Sequence, residues 1–244
     1  MRYKYSLTFL FTALLMVMGL TRVAGQSLSN TFYCSGEMSR IEMALKDTAH
    51  VSFKVTTVTA YNNGTTNTLT GQYKVSGNQV HLVKSDSTEF IQNSLLGLNM
   101  RHAYQRAELN KPVELFTWVL RAKLTDPEFY RTYVTGMAMA DTGGYKRLSY
   151  QFKTASPYQQ YDILYDPATH RIHAIQYTYS ITGSAPAPAG SKMPFQVTMQ
   201  FSNYQTGSFT DEAFSTDGYF TVQKGIYSMV PPYTSYKFIN PLNQ

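Results

Sequence analysis

Two rhythms alternate along the chain. From His50 to about Ala107 apolar and polar residues follow one another with period two, so that Val51, Phe53 and Val55 fall on one side and Ser52, Lys54 and Thr56 on the other. Successive strand side chains point to opposite faces, and this run therefore predicts a sheet with one buried face. Asn63-Gly64 and Gly77-Asn78 are turn pairs suited to positive φ angles. Strands are expected at about 68–75, 79–84, 88–92 and 99–107. Connections too short for parallel crossovers make them an antiparallel meander with one continuous apolar face.

Helical spacing appears in two places. In "SGEMSRIEMALKD" Met38, Ile41 and Leu45 recur at i, i+3 and i+7, with Ser35 placed to cap the first turn and Lys46 suited to the last. In "KPVELFTWVLRAKLTDPEFYRTY" Val113, Phe116, Val119 and Leu120 follow Pro112 at helical intervals and predict a helix over 113–123. A helix inside an otherwise all-β pattern is either a core plug or a movable lid over an apolar cavity. Strand text then resumes through "YVTGMAMA", "YKRLSYQF", "YDILYD" and "RIHAIQYTYS". "SAPAPAG" reads as a surface excursion between paired strands. In "MPFQVTMQFSNY" Met193, Phe195, Val197, Met199 and Phe201 share one face. The tail after residue 216 is aromatic and prolyl, with an edge strand expected at Tyr236 to Ile239.

The first residues change the picture from a fold to a location. Arg2 and Lys4 precede an apolar run from Ser6 to Leu20, and "TRVAGQ" ends in small residues. This is the pattern of a secretory signal, expected to be cleaved after Gly25 and to leave residues 26–244 as one domain. The run is shorter than the roughly 20 apolar residues that span a bilayer, and no later segment is apolar enough to do so. A periplasmic or secreted protein is expected. The net charge of +6 includes Arg2, Lys4 and Arg22 of the leader. The remaining basic residues are scattered, which argues against a nucleic-acid partner. Cys34 is the only cysteine, so packing rather than a disulfide must stabilise the domain.

A search for chemistry returns little. The histidines are His50, His81, His102, His170 and His173, and on a strand His170 and His173 point to opposite faces, so no metal or other cofactor is expected. No G-x-S-x-G elbow occurs, and Asp166 with His170 flank a turn. Glu108, Glu114, Asp126 and Glu128 stand at the ends of the helical segment, where carboxylates cap or stay solvated. "DTGG" at Asp141 is a hairpin turn. What remains is apolar surface: Phe53, Val55, Met137, Met139, Phe195, Val197, Met199 and Phe201 share strand faces, and methionine suits an adaptable surface.

The order of elements, with "AHVSFKVTTVTAYNNGTTNTLTGQYKVSGNQVHLV", the central helical interruption and "YDPATHRIHAIQYTYS…FQVTMQFSNYQTGSFTDEAF", resembles the periplasmic lipoprotein carriers of the LolA/LolB-like family. Ser52-Phe53, Gly71-Gln72-Tyr73, Thr169 to Ile175 and Asp211 to Phe214 stand where that family's motifs do. The resemblance covers most of residues 37–215. It implies a mainly β, strongly curved antiparallel sheet forming an incomplete barrel, with an N-terminal helix and a central helical lid or plug. It further implies a non-catalytic carrier whose apolar sheet face receives a lipid or the acyl chains of a lipoprotein. The early strand has Lys54 and no arginine, so the buried arginine that latches the family's lid has no counterpart there, and the tail beyond residue 216 is additional. Two rivals stay open. One is an envelope interaction module with a packed interior, using Tyr233 and Tyr236 against a partner protein or glycan. The other is a secreted hydrolase.

Overall fold

The computed structural model describes residues 31–46, 50–120, 124, 126–180 and 194–240. The expected leader, the "SAPAPAG" excursion and Met193 lie outside the described residues, as do the side chains of Phe116 and Trp118. None of the described helices is long and apolar enough to cross a membrane.

The first helix, α1 (Thr31–Leu45), begins a turn earlier than its apolar spacing implies, and Ser35 lies inside it instead of capping it. Strands β1 (Val51–Tyr61), β2 (Thr66–Ser76), β3 (Gln79–Lys84) and β4 (Thr88–Gln92) follow as antiparallel neighbours. The β1–β2 turn needs Gly64 at φ +77°, and Asn63 Oδ1 accepts the Thr65 amide at 3.1 Å. Gly71 is required for a different reason: a Cβ there would lie 2.8 Å from Leu82 Cδ1.

The stretch expected as one strand over 99–107 is two, β5 (Gly97–Arg101) and β6 (Arg106–Asn110), joined by a 3₁₀ corner at His102–Tyr104. Gln105 closes that corner in the left-handed region at φ +45°, which reverses the chain. In the helical interruption the described residues form α2 (Leu115–Leu120) and α3 (Pro127–Tyr133), and residues 121–123 of the helix expected over 113–123 lie outside the described residues. Pro127 occupies the first turn of α3, and Asp126 caps it by accepting the Glu128 amide at 2.8 Å.

Strands β7 (Val134–Thr142), β8 (Tyr145–Phe152), β9 (Tyr158–Tyr165), β10 (Ile172–Tyr179) and β11 (Pro194–Thr206) complete the antiparallel run. "DTGG" forms the β7–β8 turn, with Gly143 and Gly144 at φ +56° and +87°. In the tail, β12 (Phe220–Gln223) and β13 (Ile226–Met229) form a separate hairpin. The expected edge strand is β14 (Lys237–Ile239), and it lies parallel to β6.

One sheet holds twelve of these strands in the order β14-β6-β5-β4-β3-β2-β1-β11-β10-β9-β8-β7. It is strongly curved and does not close into a barrel. Directly opposed residues of antiparallel strands share a face, so the register maps each face. Met137, Tyr150, Tyr161, Tyr177 and Val197 make one row on the helix-covered face, and Met139, Leu148, Ile163, Ile175 and Met199 make the next. On the other side of β1 the row reads Phe53, Tyr73, Leu82, Phe90, Asn99, Glu108. The continuous apolar face expected of the meander therefore ends at Phe90. Beyond it the apolar side changes: Leu98, Met100, Ala107 and Leu109 point the opposite way, where Phe220 and the half-buried Tyr219, Tyr227, Tyr233 and Phe238 of the tail cover them.

Candidate functional site

The helix-covered face holds the main core. Phe53 stacks on Tyr73 with centroids 5.0 Å apart and meets Phe201 at 5.8 Å. Val55, Val197, Met199 and Phe201 are buried in the same cluster, together with Cys34, Met38, Ile41 and Leu45 of α1. Of the residues proposed to line an apolar site, Met137 is buried and Met139 partly buried there, with the Tyr165 hydroxyl 3.3 Å from Met139 Sδ. Phe195 departs from the group: it is 39% exposed and is itself the residue left unpaired at the register shift between Ala60–Gln196 and Tyr61–Pro194.

Nor is the central helix a free flap. Val119 and Leu120 are buried against the sheet, whereas Val113 precedes α2 and is 38% exposed, so it is no part of the packed helix. Phe116 falls within α2. Both ends of α2 are tied. Asn78 Oδ1 accepts the Leu115 amide at 2.9 Å. The fully buried Gln92 accepts the Val113 amide at 2.8 Å and donates to the carbonyls of Val113 and Asn78 at 2.8 and 2.7 Å. At Leu120 the Tyr161 hydroxyl donates to the main-chain carbonyl. Burial pushes the Tyr161 phenol well above its ordinary pKa, so it remains a donor.

Between the helices the cover parts. A cleft of about 410 Å³ opens where α1 and α3 diverge over β7 and β8. Its apolar floor is Met38, Leu124, Met137 and Tyr150, and Tyr130 forms a wall. The rim is polar, with Ser35, Ser39 and Glu42 on successive turns of α1. Between Ser35 and Ser39 on the same helix, Glu37, only 3% exposed, accepts the Tyr165 hydroxyl at 2.5 Å, pairs with Arg40 and lies 3.5 Å from His170 Nε2. Burial alone would raise the Glu37 carboxyl, but those three neighbours outweigh it and hold it below the usual carboxylate range. Glu37 thus fixes α1 on the sheet beside the cleft and keeps its own charge out of it.

The histidines and carboxylates weighed in the sequence take structural places. Asp166 Oδ1 accepts the Ala168 and Thr169 amides at 2.7 and 3.2 Å, closing the turn, and His170 stacks on Tyr165 at 5.9 Å. His50 pairs with Asp211 at 2.9 Å. Among the described residues no group of three or more His, Cys, Asp or Glu side chains could hold a metal ion.

One cluster escaped the sequence reading. Glu89 is buried on the tail-covered face and accepts from His81 Nε2 at 2.7 Å, His102 Nε2 at 3.0 Å and the Tyr219 hydroxyl at 2.8 Å. His102 Nδ1 in turn lies 2.9 Å from the Tyr236 hydroxyl. Burial opposes ionisation of Glu89, but the bonds from His81, Tyr219 and His102 prevail and lower its pKa to about 2. The available signal was the parity of "GLNMR" and "RAELN", whose apolar residues sit out of phase with Phe53 and Tyr73.

No family model matches the chain, and no curated protein matches it. Solved structures do. A MucA/MucB complex structure from Pseudomonas aeruginosa matches at 14% identity over 75% of this chain and 60% of the other, with a TM-score of 0.45. This chain therefore spans less than two thirds of that one. A conserved protein of Thermus thermophilus matches at 7% identity over 85% and 99% of the two chains, TM-score 0.47. A LolA superfamily protein from Nitrosomonas europaea matches at 10% identity over 75% and 98%, TM-score 0.35. The family whose element order the sequence resembles thus recurs among the similar structures.

Proposed function

We propose that this is a non-catalytic binding protein of the cell envelope that takes an apolar ligand, a lipid or a lipoprotein acyl chain, into the cleft between α1 and α3. The observation that carries this reading is the cleft itself: Met38, Leu124 and Met137 form an apolar floor below a polar rim, where the helix cover of the sheet is incomplete. Two methionines make that floor adaptable to chains of different shape. Each methylene moved from water into it contributes about 0.8 kcal/mol. The export signal read in residues 1–25 supports the location.

The test is direct. Organic extraction of the purified protein followed by mass spectrometry is expected to recover bound lipid, and a fluorescent fatty acid is expected to bind competitively with it. Ser39 is exposed on the rim, so Ser39→Trp should obstruct the cleft without unfolding the protein and weaken the probe at least about tenfold. A clean extract, with no probe binding, rejects the proposal.

That outcome would favour the second reading, an interaction module with a solid interior. The tight packing of Phe53, Val55, Met199 and Phe201 and the tethered α2 support it. In that reading Tyr233 and Tyr236 are poor contact residues, because they already pack against Tyr219 and His102.

A further inference from the structure

The change of apolar side at β4 leaves the helix-side face of β4, β5 and β6 polar, and a second cleft of about 600 Å³ lies over it, separate from the one between α1 and α3. The register places its parts. Phe90 and Asn99 are directly opposed and form the floor, and Asn110, diagonal to Asn99 across β5 and β6, lies about 7–8 Å further along. Lys84, Asp86 and Arg101 stand at the end nearest the His102–Tyr104 corner, and Val113 stands at the other, beside Gln92. Charges of both signs therefore meet at the corner end. Arg106 and Glu108, on the same face of β6, already satisfy each other at 3.2 Å. An anion in the cleft would meet Asp86 and a cation would meet Lys84 and Arg101, so the lining suits a ligand that is polar and uncharged.

The corner narrows the ligand further. Tyr104 is 79% exposed, yet the turn that carries it is pinned: the His102 amide donates to the Ser87 carbonyl at 3.0 Å, the His102 ring lies 3.0 Å from Glu89 and 2.9 Å from the Tyr236 hydroxyl, and Gln105 closes the turn at φ +45°. A large aromatic ring is thus displayed in water beside a polar cleft, on backbone that is fixed. Side-chain amides and hydroxyls both donate and accept, as sugar hydroxyls require, and the rings of Phe90 and Tyr104 offer flat apolar surface to a sugar's C–H face. The cleft follows strands of five residues, about 16 Å of extended backbone, which is longer than one sugar ring. We propose that this cleft binds a short neutral oligosaccharide, with one ring resting on Tyr104 and hydroxyls held by Asn99 and Asn110.

Calorimetric titration of the whole protein with cellotriose, maltotriose and chitotriose tests the assignment. At least one of these neutral sugars is expected to bind, with a Kd that changes less than about twofold between about 0.05 and 0.5 M sodium chloride, because an uncharged ligand offers no attraction for salt to screen. Tyr104→Ala, at an exposed position, should keep the melting temperature and weaken that binding at least about tenfold. Trigalacturonate and inorganic phosphate should bind more weakly than the best neutral sugar. No binding of any of the three, tighter binding of the acid or of phosphate, or a Tyr104→Ala protein with undiminished affinity would each overturn the proposal.

Discussion

The two ends of the sheet are stabilised from opposite sides. From β7 to β3 the buried face lies under α1 and α2, and one buried carboxylate, Glu37, ties α1 down through Tyr165, Arg40 and His170. From β4 to β6 the buried face is the reverse one, under the tail, and a second carboxylate, Glu89, ties it down through His81, His102 and Tyr219. Both knots follow one physical rule: a buried charge is retained only where enough donors converge on it. They are alike in reach, Glu37 with Tyr165 joining positions 128 residues apart and Glu89 with Tyr219 positions 130 apart, but they differ in what they join. The Glu37 knot fixes a helix on the sheet, whereas the Glu89 knot fixes the tail. The first core continues across most of the sheet, while the second has only five buried members. The tail thus buries one face of the outer strands and leaves their other, more polar face outside both cores.

Core truncations should separate the two ends most sharply. Phe53→Ala removes a ring packed against Tyr73, Phe201 and Tyr204, and is expected to cost about 3–5 kcal/mol. Leu98→Ala in the tail-covered core should cost about 2–3 kcal/mol, because that smaller cluster relaxes more readily. Urea denaturation read by near-ultraviolet circular dichroism checks both. Leu98→Ala should also speed proteolysis of the tail before it affects the rest; cleavage throughout the domain at one rate would show that the two cores unfold as a unit.

The Glu89 knot makes the next largest difference, and it depends on pH. Its folded pKa, about 2, lies below its ordinary value of 4.5. Stability from this group is therefore fully present above pH 4.5 and is lost as pH falls towards 2. The shift corresponds to about 3 kcal/mol at most. Glu89→Gln should lower stability at pH 7 and flatten its decline between those limits. An unchanged acid profile in the variant would show that the carboxylate is not what holds the tail.

How much of this was legible depended on the range of the interaction. Val51, Phe53 and Val55 announced β1, and Asn63-Gly64, Gly77-Asn78 and Gly143-Gly144 each marked a real turn, because alternation and turn chemistry are local. The corner at His102–Tyr104 was missed, since its reversal depends on a positive φ at Gln105, a residue with no turn preference of note. In the cleft between α1 and α3, the sequence pointed to Met137 but not to Met38, Leu124 or Tyr130, whose meeting requires α1 and α3 to be placed on the sheet. Phe195 sits at a register shift, which strict alternation does not announce, and it is left half-exposed. Glu89 carries no local signal, because its partner Tyr219 lies 130 residues further along the chain.

The smallest expected effect concerns the link between α1 and the start of α2. Lys46 Nζ lies 2.6 Å from Glu42 Oε1 and 2.5 Å from Glu114 Oε1, so one ammonium joins the end of α1 to the residue before α2. Burial would lower the Lys46 pKa, but Glu114 and Glu42 outweigh it and raise it. The ammonium is still partly solvated, and exposed pairs contribute only about 0–1 kcal/mol. Lys46→Gln should therefore lower stability by less than about 1 kcal/mol in dilute buffer, and the difference should vanish near 1 M salt, where the screening length falls to about 3 Å. A larger, salt-independent loss would mean that Lys46 acts through its aliphatic stem packed between the helices and not through its charge.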